Sequence, residues 1–285
     1  MSSTTATRSS AKAARSQSGL TFGGLLNSEW IKLRTLRSTF WCYLIIFVLT
    51  VGLGALISNF SNVANGFSGK QDLWVGAVTL GLSFGQLVVA VLGALVIAGE
   101  YGTGMIKTTM TAAPQRLPAL FAKALVFGIT TFVVGLVSIV ITALVTVPIL
   151  SAKSLAIDVG DGKAWLAFVG GAGYLALIGV LALGIGAILR NSAAGIASAL
   201  GLILVVPGIL SVIFQFTAAT WVLNVVAFLP SEAGSKIFSY PGSGAPAGMH
   251  GGLLTLDSTQ GLLVLIAWVF AVLVIASALV KRRDV

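Results

Sequence analysis

Long apolar stretches alternate with short polar breaks along the chain, near residues 39–58, 75–99, 119–150, 164–189, 194–216 and 260–280. A helix rises roughly 1.5 Å per residue, so about 20 apolar residues cross a hydrocarbon core of roughly 30 Å. Each stretch meets that length, and Lys123 is the one charged residue inside any of them. In lipid the backbone must satisfy its own hydrogen bonds, which uninterrupted runs of this kind do as helices. The pattern therefore predicts an all-α integral membrane protein with six transmembrane helices over residues 39–285. The third run exceeds one upright crossing, so it tilts or begins in the cytoplasm. Pro207 is placed to kink the fifth.

Ahead of these runs, residues 20–38 read LTFGGLLNSEWIKLRTLRS. Phe22, Leu26, Trp30, Leu33 and Leu36 recur at three- and four-residue steps, which gathers them on one side of a helix. Lys32, Arg34 and Arg37 flank that side, as expected for an amphipathic helix lying in the cytoplasmic interface. Two residues break the pattern: Glu29 falls inside the apolar stripe and Ile31 outside it. Either Asn27 or Ser28 caps the helix and puts Glu29 in its first turn, near the positive dipole end, or Glu29 pairs with a basic group on a partner surface. Residues 1–19 are basic and rich in Ser, Thr and Ala, and read as a disordered tail. The first run starts too late and is too long for a signal peptide, so a retained span is expected.

Composition sharpens the picture. Apolar residues make up 57% of the chain and charged ones 9%, against about 25% charged in a soluble domain. The formal net charge of +9 is explained by topology rather than by nucleic acid, because no basic face is interleaved with aromatics. With the N-terminus inside, thirteen Lys and Arg lie on the cytoplasmic side and four (Lys70, Lys153, Lys163 and Lys236) outside. Six spans then return the C-terminus to the cytoplasm. Cys42 is the single cysteine and His250 the single histidine, so neither an intrachain disulfide nor a zinc cluster is available. Cys42 reads as a small buried apolar residue, and nothing resembles an acid–base or nucleophile constellation.

Small residues recur at four-residue spacing, in Gly81 and Gly85 and again in Ala193, Ala197 and Gly201. Such stripes let helices approach closely, within one subunit or across a dimer. Gln86 and Gln215 are the bulky polar residues inside spans, suited to interhelical hydrogen bonds. The outer loop, 217–259, contains the apolar stretch Trp221–Phe228, too short to span and so interfacial or re-entrant.

The connection after the second run reads GEYGTGMIKTTMTAAPQRLPALFAKAL over residues 99–125, with glycines that permit a sharp exit from the membrane. Together with SEWIKLRTLRSTFW before the first span and LPSEAGSKIF after the fifth, it resembles bacterial ABC-2-type transporter permeases. The likeness is strongest to the small six-span permeases of actinobacteria, and runs from about residue 20 to the C-terminus. The resemblance implies a type V exporter-like architecture in which residues 20–38 form an interfacial elbow helix, with Glu29, Trp30, Lys32, Leu33 and Arg34 as its characteristic positions. It implies that connection 100–118 is the coupling segment docking on an ATP-binding subunit, through Glu100, Tyr101, Gly102, Thr103 and Gly104, with Lys107 nearby. Gly102 stands where the family usually carries a basic residue, so no salt bridge is expected from it.

The same resemblance implies a bacterial plasma-membrane assembly of two permease copies, or one copy and a paralogue, with two ATPase subunits that bind ATP and magnesium. This chain itself carries no G-x-x-x-x-G-K-[ST] string; Gly66–Lys70 (GFSGK) is too short. It is expected to bind no cofactor and to be no enzyme. Drugs, peptides, lipids and polysaccharides are the family's substrates, and export its usual direction. The alternative is a stand-alone secondary transporter or channel. Such proteins usually carry ionisable residues within their spans, whereas Asp, Glu and His are absent from the middle of these six runs.

Overall fold

The computed structural model describes residues 21–60, 69–102, 116–241, 248–250 and 253–282. Thr103, Gly104, Lys107 and the N-terminal tail lie outside the described residues. Helix α1 runs Phe22–Thr35. After one extended residue, Leu36, α2 follows over Arg37–Phe60. Then come α3 (Lys70–Gly102), α4 (Arg116–Ser151) and α5 (Gly162–Leu189). The next span is composite: α6 (Ser192–Leu200), a π turn (Gly201–Val205) and α7 (Val206–Thr217). Short helices α8 (Thr220–Ala227) and α9 (Pro230–Ser235) precede a 3-10 turn, Lys236–Phe238. A hairpin of β1 (Gly248–His250) and β2 (Leu253–Thr255) leads to α10, Ser258–Arg282. Among the described residues six helices are long and apolar enough to cross a membrane, which makes this an all-α, multi-pass membrane protein.

Helices α3 and α5 form the enclosed centre, and α2 and the α6–α7 span are the most exposed. Close approach at the centre depends on glycine: a Cβ on Gly93 would strike the Gly179 carbonyl oxygen. Gly81 of the four-spaced pair abuts the Thr50 backbone of α2, so this stripe packs within the subunit. The Ala193 and Ala197 stripe instead faces outward, while Gly195 and Ala199 turn inward. Polar side chains bridge helices through Tyr43–Thr131 (2.9 Å) and Trp74 to Thr146 (3.0 Å). Such bonds average about 0.6 kcal/mol each between membrane helices.

Gln86 accepts a hydrogen bond from the buried Tyr174 hydroxyl of α5. Gln215 is exposed and makes no bond to another helix among the described residues. Cys42 is half-buried rather than buried. The fifth span is interrupted upstream of Pro207, because a proline ring clashes with the carbonyl four residues back. That carbonyl belongs to Ile203, inside the π turn, where the widened backbone accommodates the ring.

Segment 218–240 folds back against α5 and α10. The Phe228 carbonyl accepts from Trp268 Nε1 (2.9 Å), and Gly234 lies against the Tyr174 ring and Leu265. A Cβ on Gly261, in the first turn of α10, would meet the Ala233 carbonyl and Lys236, and the Ser258 hydroxyl donates to the Lys236 carbonyl (2.9 Å), so α9 sits beside the start of α10. The segment ends at Tyr240, whose hydroxyl donates to Asp161 Oδ2 (2.8 Å) at the start of α5.

Candidate functional site

At the α1 end of the bundle, four charged side chains close a ring. Lys123 Nζ contacts Glu29 Oε2 at 2.5 Å and Glu100 Oε1 at 2.8 Å. Lys32 Nζ contacts Glu29 Oε1 at 2.8 Å and Glu100 Oε1 at 3.1 Å. Acid and base alternate around it, so the ring is neutral as a whole. The side chains of Glu29, Lys123 and Glu100 are 5%, 7% and 10% exposed, and that of Lys32 is 29% exposed.

Three helices supply these groups. Helix α1 is capped by Thr21, whose hydroxyl accepts from the Gly24 amide (3.3 Å). Glu29 therefore sits in the third turn, not in a first turn capped by Asn27 or Ser28. It pairs within its own chain, so the second reading of Glu29, a partner surface, is replaced as well. Leu33 follows Glu29 at four-residue spacing on the buried face, whereas Trp30, Ile31 and Leu36 are exposed. The apolar stripe thus divides: Leu33 belongs to the bundle and Trp30 to the outer face. Arg34 is exposed.

Glu100 and Tyr101 lie in the last turn of α3, and Gly102 ends it, exposed with open space about its Cα. Glu100 is buried, and its second oxygen, Oε2, has no partner among the described residues. Below the Tyr101 ring, the Arg190 guanidinium lies 5.3 Å from the centroid. Arg190 caps α5 in a left-handed conformation (φ 53°), and Asn191 then caps α6 by accepting from the Ala194 amide (3.1 Å). The structure thus brings Glu100, Glu29 and Lys32 together, and keeps Trp30 and Arg34 apart from them.

Electrostatics favour the closed ring. Burial disfavours the charged amine of Lys32, but the hydrogen bond to Glu29 and the fields of Glu100 and Glu29 outweigh it, raising its pKa above 10.5. Two carboxylates sharing two amines hold each other's charge in a place that would expel any one alone.

Sequence reasoning passed over Lys123, though the signal was present. Glu29 breaks an apolar stripe and Lys123 breaks an apolar run, with opposite signs. Each anomaly marks the other as its partner. Among the described residues no group of His, Cys, Asp and Glu side chains could hold a metal ion.

The chain's kinship agrees with this architecture. No curated relative matches it. A family model described as ABC-2 family transporter protein matches residues 25–208, which contain all four ring residues and both stems of the connection between α3 and α4. With more than half of its 285 residues so matched, the chain belongs to the ABC-2 family of transporter proteins.

Proposed function

We propose that this chain is the permease subunit of an ATP-binding cassette exporter of the bacterial plasma membrane, carrying a drug-like, peptide, lipid or other amphipathic substrate. ATP and magnesium bind to a separate ATPase subunit, present in two copies, and a second permease or a paralogue completes the path. The N- and C-termini face the cytoplasm, which places the ring of charges at the cytoplasmic end.

The observation that carries this reading is the position of the ring. Glu100 lies two residues before α3 ends and Lys123 seven after α4 begins. Both stems of the connection, 100–118, are thereby clamped to each other and to α1, the elbow helix. A push on that connection from an ATPase subunit moves three helices as one body. Glu100, Tyr101, Gly102, Thr103, Gly104 and Lys107 form the docking segment in this reading, and Glu100 Oε2 is left to accept a further bond.

Affinity purification of the tagged chain in mild detergent tests it. A stoichiometric P-loop ATPase is expected, and Glu100→Ala should weaken its retention or uncouple ATP hydrolysis from transport. Wild-type coupling in that variant sinks the assignment of the connection. A second reading is a stand-alone secondary transporter, for which Glu232, partly buried on α9, is the candidate ionisable group. Transport by the purified chain with no ATPase present would favour it.

A further inference from the structure

The link between α5 and α6 consists of Arg190 and Asn191, and the first of them is unusual in two ways. Its backbone is left-handed (φ 53°), a conformation that helix ends usually give to glycine. Its guanidinium lies 5.3 Å from the centroid of the Tyr101 ring, and its Nη2 atom is buried with no hydrogen-bond partner among the described residues. Strained backbone and an unmet buried donor persist only where the surroundings impose them, and such strain collects at segments that switch.

The surroundings of Arg190 are built as a joint. The start of α6 meets α5 and α3 through glycines: a Cβ on Gly195 would come within 3.2 Å of the Gly186 Cα, and one on Gly186 within 2.9 Å of the Ala94 carbonyl oxygen. Backbones touch there without interlocking side chains, which makes a fulcrum rather than a clamp. Farther along the same span, the π turn Gly201–Val205 and Pro207 interrupt the regular helix, and little of the span is buried. Between the fulcrum and that break, α6 is one short rod, and Arg190 stands at its pivoted end.

Tyr101 lies beside Glu100 in the last turn of α3, at the stem of the connection to α4. Two contacts leave that stem in different directions. Glu100 leads through the ring of charges to α1 and α4, whereas Tyr101 leads to Arg190 and α6. The attraction between a guanidinium and a ring face carries the cation with the ring when α3 turns. We propose that Arg190 is a positioning residue, through which the connection between α3 and α4 sets the angle of the fifth span. This rests on the permease reading and gives the ATPase stroke a second route into the bundle.

Bimane labels at Leu125→Cys on α4 and at Ala197→Cys on α6, both exposed positions, read the two routes separately. Each is placed in a Cys42→Ser background of the full chain, purified with its ATPase. Magnesium ATP with vanadate should shift both signals. Arg190→Gly keeps the left-handed turn, which glycine adopts freely, and removes only the guanidinium. In that variant the Ala197 response should fall about twofold or more, as for one lost cation–π contact, with the Leu125 response intact. Arg190→Lys keeps a cation over the ring and should lose less. An undiminished Ala197 response in Arg190→Gly overturns the assignment, as does an equal loss at both labels. So does a wild-type Ala197 label that ignores nucleotide while Leu125 responds. A chain that recruits no ATPase, or whose ATPase moves neither label, defeats the permease reading itself, and the assignment falls with it.

Discussion

Replacing Lys123 with methionine removes one amine from the ring while keeping the length and apolar volume of the side chain. Glu29 and Glu100 are then left at 5% and 10% exposure with Lys32 as their shared cation. Breaking a buried ion pair from one side costs about 3–5 kcal/mol, because the charge left behind is neither solvated nor paired. Lys32 is 29% exposed, so water replaces much of what Lys32→Met removes, at a cost of about 1 kcal/mol or less. The two lysines touch the same two acids, yet the structure ranks them far apart. Combining Lys123→Met with Glu29→Gln removes an acid with the base and leaves a neutral Lys32–Glu100 pair. The double variant should be more stable than the sum of the singles predicts, by about 0.5–3 kcal/mol. Equilibrium unfolding of the purified chain in mixed micelles measures all four proteins. A Lys123→Met loss below about 1 kcal/mol, or a larger loss for Lys32→Met, would show a solvated ring and refute the argument.

Two further outcomes follow from other parts of the bundle. Gly93→Ala puts a methyl group against the Gly179 carbonyl, a backbone clash that should lower stability by about 1–3 kcal/mol; an unchanged melting temperature would show that α3 and α5 have room to separate. The raised pKa of Lys32 means that its contribution to docking α1 is fully present below pH 10.5 and is lost as pH rises through the higher folded value. A spin label at Ile31→Cys, in a Cys42→Ser background, should report an immobilised α1 up to pH 10.5 and release only above it. Release at lower pH would contradict the sign of the shift.

The spans were legible because a 20-residue apolar run admits few structures in lipid. Arg37–Phe60 and Gly162–Leu189 extend only a few residues beyond the runs that announced them. The ring was half legible. Glu29 and Lys123 each violate the local pattern, but they are 94 residues apart, and periodicity within one helix does not say which other helix lies alongside it. Leu33 and Trp30 share a stripe by spacing, yet a helix that touches protein on one side and is exposed on the other needs two apolar faces, and the sequence does not tell them apart. The docking of segment 218–240 was hidden for a different reason. It is fixed by the Trp268 bond to Phe228 and the fit of Gly234 on Tyr174, contacts from helices far away in sequence.

The ring also orders the birth of the protein. Synthesis delivers Glu29 and Glu100 before Lys123, which follows Glu100 by 23 residues. Until that lysine arrives, the two acids have Lys32 as their one partner in the ring. Lys123 enters as the lone charge of the apolar run 119–150. The ring therefore closes only once α3 and the first two turns of α4 have both been made, so α1 and α3 gain their last common partner late.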